Sequence, residues 1–242
     1  MSQASATKGD DWFYLLREYD MSVVRNVVLM DDYLRDAFIP AIKRLGLGPV
    51  GVFSGWFGEQ SLGGRYVILG GADLALLADL DHHLLADADY AAKAEAFLAA
   101  PVGQPPFTRM KSSLIRAMPG LARLSTPPEF AGLPGRLVEL RTYEQPTWAS
   151  HLRKVDMFSE GEARLLDESG LRGIMYGSNI VGDRLPHLTY MWIFRDLAER
   201  QAAEAAFFAK PSTPAFFGLP RYAGLPSAIS NHILRPTPYS DI

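Results

Sequence analysis

The 242-residue sequence contains no cysteine. That excludes disulfides, cysteine-ligated zinc, iron–sulfur clusters and a thiol nucleophile. It also lacks any apolar run of the roughly 18 residues that a membrane-spanning helix needs, so no membrane insertion is expected. Neither sign of charge dominates: 24 Lys and Arg face 27 Asp and Glu, for a net charge of −3. Such a balance leaves no electrostatic footprint for nucleic acid or an anionic membrane surface. Histidine is sparse, with five residues, and none stands in a His-x3-His or Glu-x2-His pattern, so no zinc or di-iron site is expected. Residues 1–11 are small and polar and lack the apolar core of a signal peptide, which reads as cytoplasmic. No glycine-rich loop opens a helix ahead of Lys-Ser/Thr, and Ser54 and Ser178 lack a nucleophile-elbow context. Nucleotide-dependent and serine-hydrolase chemistry are set aside, and no cofactor is expected.

What is present is an ordinary globular composition, 48% hydrophobic and 21% charged, long enough to bury a full core. The chain also repeats itself. Leu16-Arg17-Glu18-Tyr19 recurs as Leu140-Arg141-Thr142-Tyr143, an offset of 124 residues. The same offset pairs Asp32 with Asp156, Gly46-Leu47 with Gly170-Leu171, Ser54 with Ser178, Gly58 with Gly182 and Tyr66 with Tyr190. Clustered identities at one offset are the mark of duplication. The expected organisation is a first repeat over residues 10–125, a Pro/Gly linker over 125–135 and a second repeat over 136–242, including a C-terminal tail.

Periodicity gives each half the same order of elements. Strands are expected over 12–19, 49–57, 65–70 and 107–118, with counterparts over 136–143, 173–181, 188–194 and 227–234. Helices are expected over 31–45 and 76–100, with counterparts over 147–169 and 196–209. Pro40 should bend the first helix, Gly170 should stop its counterpart, and Asp196 with Glu199 fits a capping box. The order β-α-β-β-α-β, twice, predicts an α+β fold. Two tandem ferredoxin-like units would pack as an internal pseudo-dimer, an α/β barrel with antiparallel sheets.

Residues 13–19 and Leu137-Val-Glu-Leu-Arg-Thr-Tyr-Glu144 resemble the opening strand of the NIPSNAP family. Gly46-Leu-Gly-Pro-Val-Gly-Val-Phe53, Lys154-Val-Asp-Met-Phe158, Leu188-Thr-Tyr-Met191 and Ile233-Leu-Arg-Pro-Thr-Pro-Tyr-Ser240 are similar to its bacterial two-repeat members. The resemblance implies the dimeric α/β-barrel superfamily. Relatives by fold include cofactor-free monooxygenases, lactone isomerases, polyketide cyclases and haem enzymes, which is analogy of fold alone.

Alternation along residues 137–143 separates Val138, Leu140 and Thr142 from Glu139, Arg141 and Tyr143. The apolar set is expected under helices and the polar set in the barrel cavity, with Leu15, Arg17 and Tyr19 as the first-half counterparts. A carboxylate, a guanidinium and a phenol on one wall can move protons and hold an anion or carbonyl; a structural Glu139–Arg141 ion pair is the other reading. His187 is a candidate base, whereas His151 is expected to be exposed. The candidate catalytic residues are thus Glu139, Tyr143 and His187. Arg141, Tyr190, Trp192, Arg17, Tyr19 and Arg109 are the candidate substrate-binding residues, and there is no metal site. Asp32/Asp36 and Asp156/Glu160 are expected to be solvated helix faces. The expected partner is a small molecule in the barrel cavity, with a homodimer left open. These features fit an enzyme for isomerisation, cyclisation, elimination or cofactor-free oxygenation of an apolar or aromatic substrate. The alternative is a non-catalytic ligand-binding or protein-interaction module.

Overall fold

The computed structural model describes residues 11–21, 26–57, 64–225 and 227–242. Gly58 and residues 61–63 of the Ser61–Gly64 turn lie outside that range. Eight strands follow the expected order: β1 Phe13–Asp20, β2 Val50–Phe57, β3 Arg65–Gly71, β4 Arg109–Ala117, β5 Leu137–Glu144, β6 Arg172–Val181, β7 His187–Phe194 and β8 Ala228–Pro236. All neighbours are antiparallel and the sheet closes in the order β1-β3-β2-β8-β5-β7-β6-β4. The β2–β8 and β4–β6 pairs join what would otherwise be two four-stranded sheets, so no sheet edge is left open.

Two long helices cross the outside of the barrel. The first, α1, runs over residues 26–44; the second, α2, over residues 148–167. Each contains one wide π turn, Tyr33–Phe38 in α1 and Phe158–Glu162 in α2. In α1 that turn ends just before Pro40, whose nitrogen cannot donate and whose ring crowds the preceding turn. Helix α3, Leu197–Ala209, starts on Asp196, whose side chain accepts from the Glu199 backbone N–H at 2.8 Å. The Glu199 carboxylate receives the N–H of Arg195 instead of that of Asp196, one residue off the expected box. Helix α4, Ser212–Phe217, follows. The 76–100 region is four short helical pieces between Leu74 and Leu98, of which Asp73 caps the first and Asp87 the third.

Three apolar clusters form. Tyr14, Leu16, Phe53, Tyr66, Ile68, Ile115, Val138, Leu140, Met175, Met191, Ile193 and Leu234 fill the barrel interior. Leu124, Phe130 and Ile242 pack with them. A second cluster seats α1 and the short helices on β1–β3, and a third seats α2 and α3 on β5–β7. At the β6–β4 seam a Cβ on Gly177 would lie 2.3 Å from the Ile115 side chain, so only glycine allows the strands their approach. Among the described residues no helix is long and apolar enough to cross a membrane.

Leu140→Ala should leave a void in the filled barrel interior and lower stability by about 2–5 kcal/mol, read from the midpoint of chemical unfolding.

Candidate functional site

The faces of β5 are reversed relative to the sequence expectation. Val138 and Leu140 point into the barrel. Glu139, Arg141 and Tyr143 point outward, under α2 and α3. The alternation was sound, but it cannot say which face is inside when both are covered. An eight-stranded barrel has an interior that side chains just fill, so the long charged groups went where helices could offer partners.

Glu139 is fully buried; it forms the expected ion pair with Arg141, at 3.5 Å, but its hydrogen-bonded partners are others. Arg200 of α3 donates to it bidentately, at 2.7 and 3.1 Å, and Asn231 of β8 donates at 3.0 Å. Arg200 also reaches Glu204 at 3.0 Å. Arg141 lies 3.5 Å from Glu139; among the described residues its guanidinium makes no hydrogen bond, and its Nε is buried without a partner. Its side chain is only 11% exposed, and the guanidinium lies 4.7 Å above the Trp192 ring and 5.6 Å from that of Tyr143.

Arg141 opens onto a cavity of about 270 Å³ between the sheet and α2–α4. Tyr143, Trp192, Phe207, Phe208 and Phe217 supply aromatic walls, and Leu166, Leu171, Leu225 and Ile229 complete the apolar lining. Three further charges face it, Glu204, Lys154 and Glu162. Lys154 and Glu162 form a buried ion pair at 2.8 Å, and the ammonium lies 5.2 Å from the Tyr143 and Phe158 rings. Burial raises the Glu162 carboxyl above its ordinary range, opposed by Lys154 and, less, by Arg141. Burial likewise raises Tyr143, against the pull of Arg141. The wide turn of α2 brings Lys154 and Glu162 together across eight positions; such turns recur at functional sites. Gly161 lies in that turn, where a Cβ would meet the Phe216 ring at 2.7 Å.

Sequence reasoning missed Lys154 and Glu162, because i,i+8 is no regular helical pairing. A signal existed: at the offset of 124 they stand opposite Met30 and Phe38, both fully buried and apolar. The other predicted residues scatter. Tyr190 is buried behind Tyr143, ring centroids 5.3 Å apart, and stacks on Tyr176. The pairing of Tyr66 with Tyr190 fails in space: Val67 is what faces Arg17 across β1–β3, as Tyr190 faces Arg141 across β5–β7. Tyr66 instead points into the barrel.

His187 lies on the other side of the wall, in a polar pocket of about 130 Å³ at one end of the barrel, with Thr142, Lys111, Ser113 and Asp183. Its Nδ1 is 3.3 Å from the Arg184 carbonyl, and burial lowers its pKa. The fold therefore does not bring His187 to Glu139 or Tyr143. His151 is buried rather than exposed and bonds Ser178 through Nε2 at 2.8 Å. Arg17 and Tyr19 line a separate cavity of about 180 Å³ under α1 and the short helices. Arg109 is exposed at the start of β4. The acidic pairs are also occupied: Arg35 bonds Asp32 and Asp36, and Arg221 and Tyr222 meet Glu160. Among the described residues no group of three or more acidic or histidine side chains is placed to hold a metal.

The NIPSNAP family model matches residues 138–241. The matched residues include Arg141, Tyr143, Lys154, Glu162 and Trp192. Two solved structures share the fold along nearly the entire chain, each provisionally named a monooxygenase. One, from Fusobacterium nucleatum, is 7% identical with a TM-score of 0.57 and covers 94% of this chain and 93% of its own. The other, from Lactobacillus acidophilus, is 11% identical with a TM-score of 0.54 and covers 93% and 94%. A NIPSNAP-like domain protein from Burkholderia xenovorans is 22% identical over 44% of this chain and 89% of its own, with a TM-score of 0.39. No protein with a curated description matches the sequence.

Glu139→Leu and Arg200→Met should each destabilise by about 3–5 kcal/mol, since each strands a buried charge. The double variant should lose less than the sum, by about 1–3 kcal/mol. A double-mutant cycle on urea midpoints measures this.

Proposed function

We propose that this protein is an enzyme acting on a small apolar or aromatic molecule with an acidic proton, and that the cavity between β5–β7 and α2–α4 is its active site. The supporting observation is one constellation: buried Lys154 and Glu162 with largely buried Arg141, facing a mainly apolar and aromatic cavity that Glu204 and Ser227 also line. Its volume suits a one- or two-ring compound at the lower end of small-molecule sites.

In this reading Glu162 is the base. Burial keeps its proton affinity nearer neutrality than that of a solvated carboxylate, which is what proton abstraction requires. The proton passes to Glu162, and the electron pair left on the substrate delocalises onto an oxygen facing Arg141 and Lys154, which stabilise the anion. Returning the proton at another atom gives isomerisation; attack of the carbanion on a carbonyl carbon of the same molecule, with the proton then returned to that oxygen, gives cyclisation; and loss of a leaving group gives elimination. The anion is also the electron-rich form that dioxygen oxidises, and the names of the two full-length structural neighbours keep oxygenation in view. Glu139, held by Arg200 and Asn231, is a positioning residue for the Arg141 wall. Tyr143 and Trp192 clamp the substrate ring, and His187 takes no part.

We also read the barrel as two copies of a ferredoxin-like unit, 10–125 and 136–242, joined by the 125–135 linker and packed as a pseudo-dimer. The matching orders β4-β1-β3-β2 and β8-β5-β7-β6 support this, as do the two π turns.

The test is exchange of acidic C–H protons into D2O for a panel of aromatic ketones and 1,3-dicarbonyl compounds, followed by NMR. Wild type should accelerate exchange for some members, and Glu162→Gln should reduce that rate ~10²–10⁴-fold with binding retained. The rate should rise with pH through a midpoint above the ordinary carboxylate value of about 4.3, because the base acts only when deprotonated. Binding without accelerated exchange would instead assign a non-catalytic module.

A further inference from the structure

The two outward arginines of the barrel, Arg17 on β1 and Arg141 on β5, occupy like surroundings. Each lies on the central strand of its four, facing the π turn of a long helix, with a tyrosine two residues on. Arg17 lies 5.9 Å from Phe38 in the turn of α1; Arg141 shares a cavity with Glu162 in the turn of α2. Their partners differ. Both terminal nitrogens of Arg17 donate to the Asp81 carboxylate, each at 2.9 Å, in the planar fork geometry that guanidinium and carboxylate prefer. Asp81 comes from a short helix outside the barrel and its side chain is 61% exposed. Arg141 has no such acid. Its nearest carboxylate, Glu139, is 3.5 Å away and already holds Arg200 and Asn231.

An arginine that is nine-tenths buried, stacked on an indole and donating no hydrogen bond has unmet donors in a low-dielectric site, an arrangement that costs free energy until an acceptor arrives. The first half shows what satisfies it. We infer that the natural ligand of the second cavity is an aromatic or apolar carboxylate, whose carboxylate docks on Arg141 as Asp81 docks on Arg17, and that Asp81 is a built-in occupant keeping the first cavity closed to such ligands. This deepens the reading of the second cavity as a small-molecule site and rests on it. The added negative charge also faces the Lys154 ammonium, which lines the same cavity as Arg141.

Isothermal calorimetry on the full chain with 2-naphthoate and its neutral isostere 2-naphthamide tests this. Wild type should bind naphthoate at one site per chain and at least ~10-fold more tightly than the amide. Arg141→Met should erase the preference for the acid, and Arg141→Lys should restore part of it. Asp81→Ala, a change at an exposed side chain, should raise naphthoate stoichiometry from one to two, and adding Arg17→Met should return it to one. Equal binding of acid and amide, or a preference that survives Arg141→Met, overturns the carboxylate assignment while leaving an aromatic cavity. Stoichiometry that stays at one in Asp81→Ala overturns the role given to Asp81. Failure of both compounds to bind wild type at millimolar concentration overturns this inference, whereas the proton-exchange assay judges the catalytic reading separately.

Discussion

Because the eight strands close on themselves under a layer of helices, each central strand has two buried faces. Every charge on such a strand must then be neutralised by a group that a helix or loop brings to it. Glu139 meets Arg200, Arg17 meets Asp81, and Arg65 of β3 meets Asp31 of α1 at 2.7 Å. These pairs fix where helices sit on the barrel as firmly as apolar packing does, because a displaced helix would strand a charge in a dry environment. Arg141 is the departure from the pattern, a strand cation whose nearest carboxylate is committed elsewhere.

The same constraint separates scaffold from site. Much of the barrel interior carries Leu, Ile, Met, Phe and Tyr in mutual contact, with a polar pocket at one end, and the aromatic cavity lies where helices stand off the sheet. The wide turn in α2 creates that stand-off. It swings Glu162 to within 2.8 Å of Lys154 and lets the Phe216 ring pack over Gly161. The result is a largely aromatic cavity containing opposite charges, in which electrostatic interactions are stronger than in bulk water. The sheet face under α1 has aliphatic Leu15, Val67 and Leu69 at the register positions where the face under α2 and α3 has Glu139, Tyr190 and Trp192. Chemistry and packing thus differ between two places of similar backbone.

Much of this protein was determined by its sequence alone. Period-2 alternation located all eight strands within a few residues, because side chains on a pleated strand must alternate whatever surrounds them. The long helices and the asymmetry between Leu15 and Glu139 were equally legible. Tertiary structure alone decided the rest. Which strand face lies inside depends on barrel closure, a property of pairings between β2 and β8 and between β4 and β6 that no local pattern encodes. The partner of Glu139 came from a helix 61 residues away, and the Lys154–Glu162 pair needed a turn that departs from regular helical spacing. His187 and Glu139, both plausible in sequence, ended on opposite sides of one wall, because a two-residue period specifies a face without specifying what that face meets.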